Sequence, residues 1–225
     1  MKTYGQYCPI ARGSEIFAER WTPLILRNLI LGCHSFNEIH DGLPGMSRTL
    51  LAQRLRALER AGVIETSKNP HGRGSRYYLT PAGADLHDVV FALGTWGARW
   101  LEIAPEHNDP GVVLWTMCRL MDRDRLPERP VVMRFEIADD HHKRYWVLVQ
   151  RPEPEVCLKP PGFEEDLVVS TDAEWLTRWH TGEISLDAAR DRGVIRVDGP
   201  PSLVREIDRW GGLSAFAGVG RAGSA

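Results

Sequence analysis

The sequence predicts an α+β chain in two parts: a helical first part with one short hairpin, and a second part in which helices pack on a mostly antiparallel sheet. Three observations lead there. Apolar residues recur at helical spacing through much of residues 22–61 and again through 81–103. Two strand-like runs, Val63-Ile64-Glu65-Thr66-Ser67 and Ser75-Arg76-Tyr77-Tyr78-Leu79, flank a turn rich in Gly and Pro. From residue 131 onward, short β-branched runs alternate with turn residues and two capped helical segments.

With 225 residues, 43% hydrophobic and 26% charged, the chain can bury a substantial core. The run Pro105-Glu106-His107-Asn108-Asp109-Pro110-Gly111 reads as a linker. It gives a first domain at 1–104, a linker at 105–111 and a second domain at 112–225 that ends in a flexible tail. The overall charge of −2 conceals opposite halves: residues 1–104 carry +3 and the remainder −5. Within 42–80 the balance is +5, a footprint suited to phosphate. No apolar run reaches the ~18 residues of a membrane span, and the start lacks an apolar signal stretch, so a cytoplasmic protein without membrane contact is expected. Cys8, Cys33, Cys118 and Cys157 include no Cys-x-x-Cys pair, which argues against a zinc ribbon or a disulfide framework and for reduced thiols.

Thr22-Pro23 has the form of a helix cap followed by proline, and the apolar set that follows ends at Gly32. Ser35-Phe36-Asn37-Glu38 has capping-box spacing, and Gly42-Leu43-Pro44-Gly45 must break the short helix it opens. Ser47 can cap a third helix running to Ala61, with Leu51, Leu55 and Leu58 on its inner face. Helix, tight turn and helix in a basic segment is the arrangement that sets a second helix in the major groove. The outward face near its start shows Ser47, Arg48, Thr49, Ala52, Gln53 and Arg56, with Arg54 on one flank; Arg can fork onto guanine and Gln onto adenine.

The hairpin beside it has a basic tip, with Lys68, His71, Arg73 and Arg76, and Arg73 between two glycines can extend toward a minor groove. These features together predict a winged helix-turn-helix. Thr80-Pro81 repeats the start signal and opens a helix whose stripe of Leu86, Val89, Val90, Leu93, Trp96, Trp100 and Leu101 is too wide for so small a domain to bury alone. A second copy of the chain is the expected cover.

Five segments in order resemble the HxlR-type winged-helix regulators: Tyr7-Cys8-Pro9-Ile10, Trp21-Thr22-Pro23-Leu24-Ile25-Leu26-Arg27, Phe36-Asn37-Glu38-Ile39, Ser47-Arg48-Thr49-Leu50-Leu51-Ala52-Gln53-Arg54-Leu55, and Tyr77-Tyr78-Leu79-Thr80-Pro81-Ala82-Gly83. The resemblance covers about residues 4–103. It implies a homodimer on a pseudo-palindromic operator, with dimer contacts from the N-terminal segment and the helix at 81–103. It also implies that Cys8, just ahead of the first helix, can respond to oxidants.

In the second part, residues 112–121 read as a buried helix, followed by strands near 131–137, 145–149, 154–159, 166–170 and 194–197. Thr171-Asp172-Ala173-Glu174 has capping-box spacing before a helix carrying Trp175, Leu176 and Trp179. A shorter helix at 185–190 and a last one from Pro200 complete the domain. The run from Trp175 to Ser185 and the segment Gly193-Val194-Ile195-Arg196-Val197-Asp198-Gly199 are similar to sterol carrier protein type 2 domains over roughly 112–211. That resemblance implies an apolar tunnel for a small-molecule effector. Trp175 and Trp179, one helical turn apart, are with Trp146 the candidates to line a ligand site, although filling a core is the commoner use of such residues. His141 and His142 beside Asp139 and Asp140 do not suit a metal, because adjacent residues of an extended turn point opposite ways.

No nucleophile elbow, phosphate loop or His-Glu-x-x-His occurs, so neither enzyme chemistry nor a cofactor is expected. The leading reading is a regulator that binds double-stranded operator DNA as a homodimer, under an effector or thiol switch. The alternative is a small-molecule carrier whose winged helix serves only as a protein-interaction module.

Overall fold

The computed structural model describes residues 3–69, 74–140 and 144–220. They fall into two compact units, residues 1–95 and 96–225.

The first unit opens with α1 (Pro9–Phe17) and α2 (Thr22–Ile30). The expected cap at Thr22 is displaced by one residue. Trp21 is the N-cap, in the left-handed region at φ 80°, while Thr22 is buried and donates its amide to the Glu19 carbonyl at 2.9 Å. Proline at the second helical position explains the shift, because Pro23 has no N–H and fits the first turn wherever that turn begins.

In α3 (Phe36–Asp41) the capping box is complete. The Glu38 amide donates to Ser35 Oγ at 3.2 Å, and Glu38 Oε2 accepts from the Ser35 amide at 3.1 Å. Next come α4 (Arg48–Arg60), capped by Ser47, and the antiparallel strands β1 (Ile64–Lys68) and β2 (Ser75–Leu79). Leu51, Leu55 and Leu58 are buried, as their spacing requires. Thr80 caps α5 (Pro81–Ala84), and α6 (Leu86–Trp100) follows with no buried residue.

The second unit is built on a five-stranded sheet in the order β5-β4-β3-β6-β7. Its strands are β3 (Val131–Ile137), β4 (Arg144–Val149), β5 (Glu155–Cys157), β6 (Leu167–Thr171) and β7 (Arg196–Asp198). All pairings are antiparallel except β3 with β6, which run parallel from Met133↔Leu167 to Ile137↔Thr171. α7 (Pro110–Leu120), capped by Asp109, packs on β4, β5 and α8 (Ala173–His180). The inner sheet face supplies Met133, Phe135, Tyr145, Val147, Leu167 and Val169 to a core shared with Leu114, Leu176, Trp179 and Trp210. α9 (Leu186–Asp191) and α10 (Pro201–Glu206) close the unit.

The cap of α8 is Asp172, whose Oδ1 accepts from the Trp175 amide at 2.8 Å. Thr171, the residue suggested by the capping-box spacing, instead ends β6 and donates its hydroxyl to the Val194 carbonyl. Among the described residues, no helix is long and apolar enough to cross a membrane.

Candidate nucleic-acid interface

The second helix of the helix-turn-helix is held in place by polar groups from α2. Asn28 is 0% exposed; its Nδ2 donates to the Ile39 carbonyl at 2.9 Å. Beside it, Arg27 Nε donates to Asn28 Oδ1 at 3.0 Å, and Arg27 Nη2 donates to the Gly42 carbonyl at 2.7 Å. Burial lowers the Arg27 pKa from its ordinary value. His40 adds a contact from Nε2 to the Met46 carbonyl at 2.9 Å. Two carbonyls of the 42–46 turn, those of Gly42 and Met46, and that of Ile39 just before it are thus satisfied from inside the unit, which fixes where α4 begins. The only sequence signal for this staple is an Arg-Asn pair inside an otherwise apolar helix.

On α4, Arg48, Thr49, Gln53 and Arg56 are exposed, opposite the buried leucines. Ser47 is exposed too, and its hydroxyl oxygen serves the helix by accepting from the Leu50 amide at 3.2 Å. Two flanking arginines have different surroundings. Arg54 Nη2 forms an ion pair with Glu19 Oε2 at 2.6 Å and is half-buried, so its charge is met within the unit. Arg48 Nη2 donates to the neutral Asn37 Oδ1 at 2.8 Å, with its guanidinium carbon 4.8 Å from the centre of the Phe36 ring.

The wing is tied to the helices at its root. Ser35 and Arg76 form an antiparallel bridge, the Tyr77 amide donates to the His34 carbonyl at 2.8 Å, and the His34 ring lies 4.6 Å from that of Tyr78. Arg76 Nε donates to the Tyr78 hydroxyl at 3.0 Å, so this arginine is part of the wing's own framework. Lys68 is exposed at the end of β1. His71 and Arg73, the expected tip residues, lie outside the described residues, as do His141 and His142.

The three tryptophans expected around one effector site do not converge. Trp179 is 2% exposed in the core of the second unit, whereas Trp146 packs with Val132 and Leu148 on the other sheet face and donates its Nε1 to Glu165 at 2.9 Å. Both faces of β4 are apolar, so alternation alone does not tell which one meets the helices. Trp175 alone of the three lines a groove of about 630 Å³, together with Glu136, Arg144, Ser170 and Arg196. Cys8 is the N-cap of α1 and half-buried.

The profile of the HxlR-like helix-turn-helix family matches residues 16–105. The chain is 34% identical over 99 residues to the HTH-type transcriptional regulator sll1512 of Synechocystis, spanning 44% of this chain and 73% of that one. To the HTH-type transcriptional regulator YvaP of Bacillus subtilis it is 30% identical over 99 residues, spanning 43% of this chain and 92% of the relative. Among solved structures, the reduced form of the transcriptional regulator YodB from B. subtilis is 28% identical over 44% of this chain and 99% of its own, with a TM-score of 0.37. The chain belongs, through residues 16–105, to the HxlR-like helix-turn-helix family.

Proposed function

We propose that the chain is a transcription regulator that binds double-stranded operator DNA as a homodimer, laying α4 in the major groove with the wing alongside. The observation that carries this is the outward face of α4, where Arg48, Thr49, Gln53 and Arg56 stand exposed at the end that follows the tight turn. Names of relatives such as sll1512 and YvaP, both transcriptional regulators, support it. The dimer is supported by α6, on which Val89, Leu93, Trp96 (53% exposed) and Trp100 (60%) lie open, and by Tyr7 and Ile10 near the start. In this reading the chain carries out no catalytic step.

The test is fluorescence anisotropy with labelled fragments from immediately upstream of its own gene, at two salt concentrations, with sedimentation of the free protein. Salt-dependent binding stronger than to a shuffled fragment, by a dimer, is expected. Equal binding to both fragments, or a monomer at micromolar concentration, refutes the respective half of the proposal.

Two forms of control complete the reading. The groove beside Trp175 suits an amphipathic effector, since Glu136, Arg144 and Arg196 give it a charged rim. A sterol-carrier-like role for the second unit rests on this groove and on the order of its elements. Titration of such ligands should quench tryptophan emission in the wild type and not in Trp175→Phe. Cys8 is the thiol to which we assign redox control.

A further inference from the structure

The contrast between Arg48 and Arg54 goes beyond placing both on one helix. Arg54 meets a carboxylate, and its charge is matched. Arg48 contacts two neutral groups from α3, the Asn37 amide at 2.8 Å and the Phe36 ring at 4.8 Å, which give its side chain a direction without a counter-charge. Of the five N–H donors of a guanidinium, Asn37 takes one at Nη2. The Phe36 ring lies against the guanidinium, and the remaining donors share its plane. Arg48 is also the first residue of α4, at the end of a recognition helix that reaches base edges.

A phosphate clamp needs charge and tolerates a mobile side chain, as lysine shows. A guanine needs two coplanar donors aimed together at O6 and N7. We propose that Arg48 reads a guanine in the operator, and that Asn37 and Phe36 are positioning residues that aim its fork; the proposal rests on the DNA-binding reading above. α3, which reads no base itself, thereby takes part in setting the sequence preference.

The experiment is selection from a duplex library of random sequence by the full chain, comparing wild type with Arg48→Ala, Arg48→Lys, Asn37→Ala and Asn37→Asp. The wild type should enrich a motif with guanine at one position. Both Arg48 variants should lower that preference by about tenfold or more, lysine included because it cannot fork. Asn37→Ala should blur the same position several-fold and leave the other positions sharp, while Asn37→Asp, which keeps the acceptor but meets the charge of Arg48 as Glu19 meets that of Arg54, should keep that position sharper than Asn37→Ala does and weaken binding to all sequences alike. Thermal unfolding midpoints of all variants guard against misfolding, and Phe36→Leu gives a second route to the same loss of aim. An Asn37→Ala motif identical to that of the wild type overturns the positioning role. Arg48 variants that weaken all sequences evenly overturn the guanine assignment while leaving the regulator reading intact. If the wild type enriches no motif, the regulator reading falls and this proposal with it.

Discussion

Gly83 sits directly against the backbone carbonyl of Val63: a β-carbon at this position would overlap that oxygen and press on the Leu79 side chain. The contact locks α5 to the root of the wing, where Thr80 also donates its hydroxyl to the Gly62 carbonyl at 2.6 Å. Gly83→Ala should lower unfolding free energy by about 1–3 kcal/mol through overpacking. Urea denaturation checks it, and an unchanged midpoint would show that the wing root yields at no cost.

Asn28→Ala should be of similar severity for the opposite reason. It takes away the donor that meets the buried Ile39 carbonyl and the acceptor of the Arg27 Nε hydrogen bond. The expected loss is about 1–3 kcal/mol. Because the same bonds hold the turn before α4, DNA affinity should fall with it. Stability within a few tenths of wild type would remove the staple from the account.

Arg54→Ala separates two roles cleanly. As the partner of Glu19 it should cost at most about 1 kcal/mol of stability, the range of partly exposed ion pairs. The slope of log affinity against log salt should stay as in the wild type. A slope reduced by about one unit would mean that Arg54 leaves Glu19 for a phosphate.

His180 gives the second unit a pH response. Burial lowers its pKa from 6.5, outweighing the bond from Nδ1 to the Gly212 carbonyl at 2.9 Å. Below pH 6.5 the unfolded chain therefore binds a proton that the folded one refuses, and stability falls as pH drops from 6.5 toward the lowered value. Above 6.5 the effect vanishes. His180→Asn should flatten this part of the stability profile of the full chain, and an unchanged slope would assign the response elsewhere.

Thiol reagents should discriminate among the cysteines. Burial pushes the Cys118 thiol up to about 12, and Cys33 is fully covered, so neither should react in the folded protein. Cys8 is half-buried at a helix start and should react first. DNA release on diamide treatment that disappears in Cys8→Ser supports the redox assignment; identical behaviour of the two proteins rules it out.

What could be read from the sequence was local. Ser35 and Glu38 close their box three residues apart, and Leu51, Leu55 and Leu58 mark the inner face of α4 by spacing alone. The antiparallel character of the second sheet followed from short runs with turns between them. Hidden were relations fixed by packing at a distance. Nothing near Arg48 or Arg54 announces that one will meet Asn37 and the other Glu19, and Gly83 looks like an ordinary helix residue until Val63 is placed beside it. Trp146 falls on the sheet face away from the core that holds Trp179 because the apolar residues of β4 serve both faces.

The closing stretch of the second unit returns to its beginning. The Trp210 carbonyl accepts from the Asp122 amide at 2.8 Å, Gly211 bridges to Met121, and the Ser214 amide donates to the His180 carbonyl at 2.7 Å, so the chain is fastened to the unit through Ser214. Consider the chain leaving a ribosome. The first unit has all its parts as soon as residue 95 has emerged, but the second cannot seat Trp210 in its core until residue 210 has followed. At roughly 5–20 residues per second that is a wait on the order of ten seconds. During it the apolar inner face of the β3–β4 hairpin stands without its final cover, which makes this interval, rather than the finished protein, the time when chaperones would matter most.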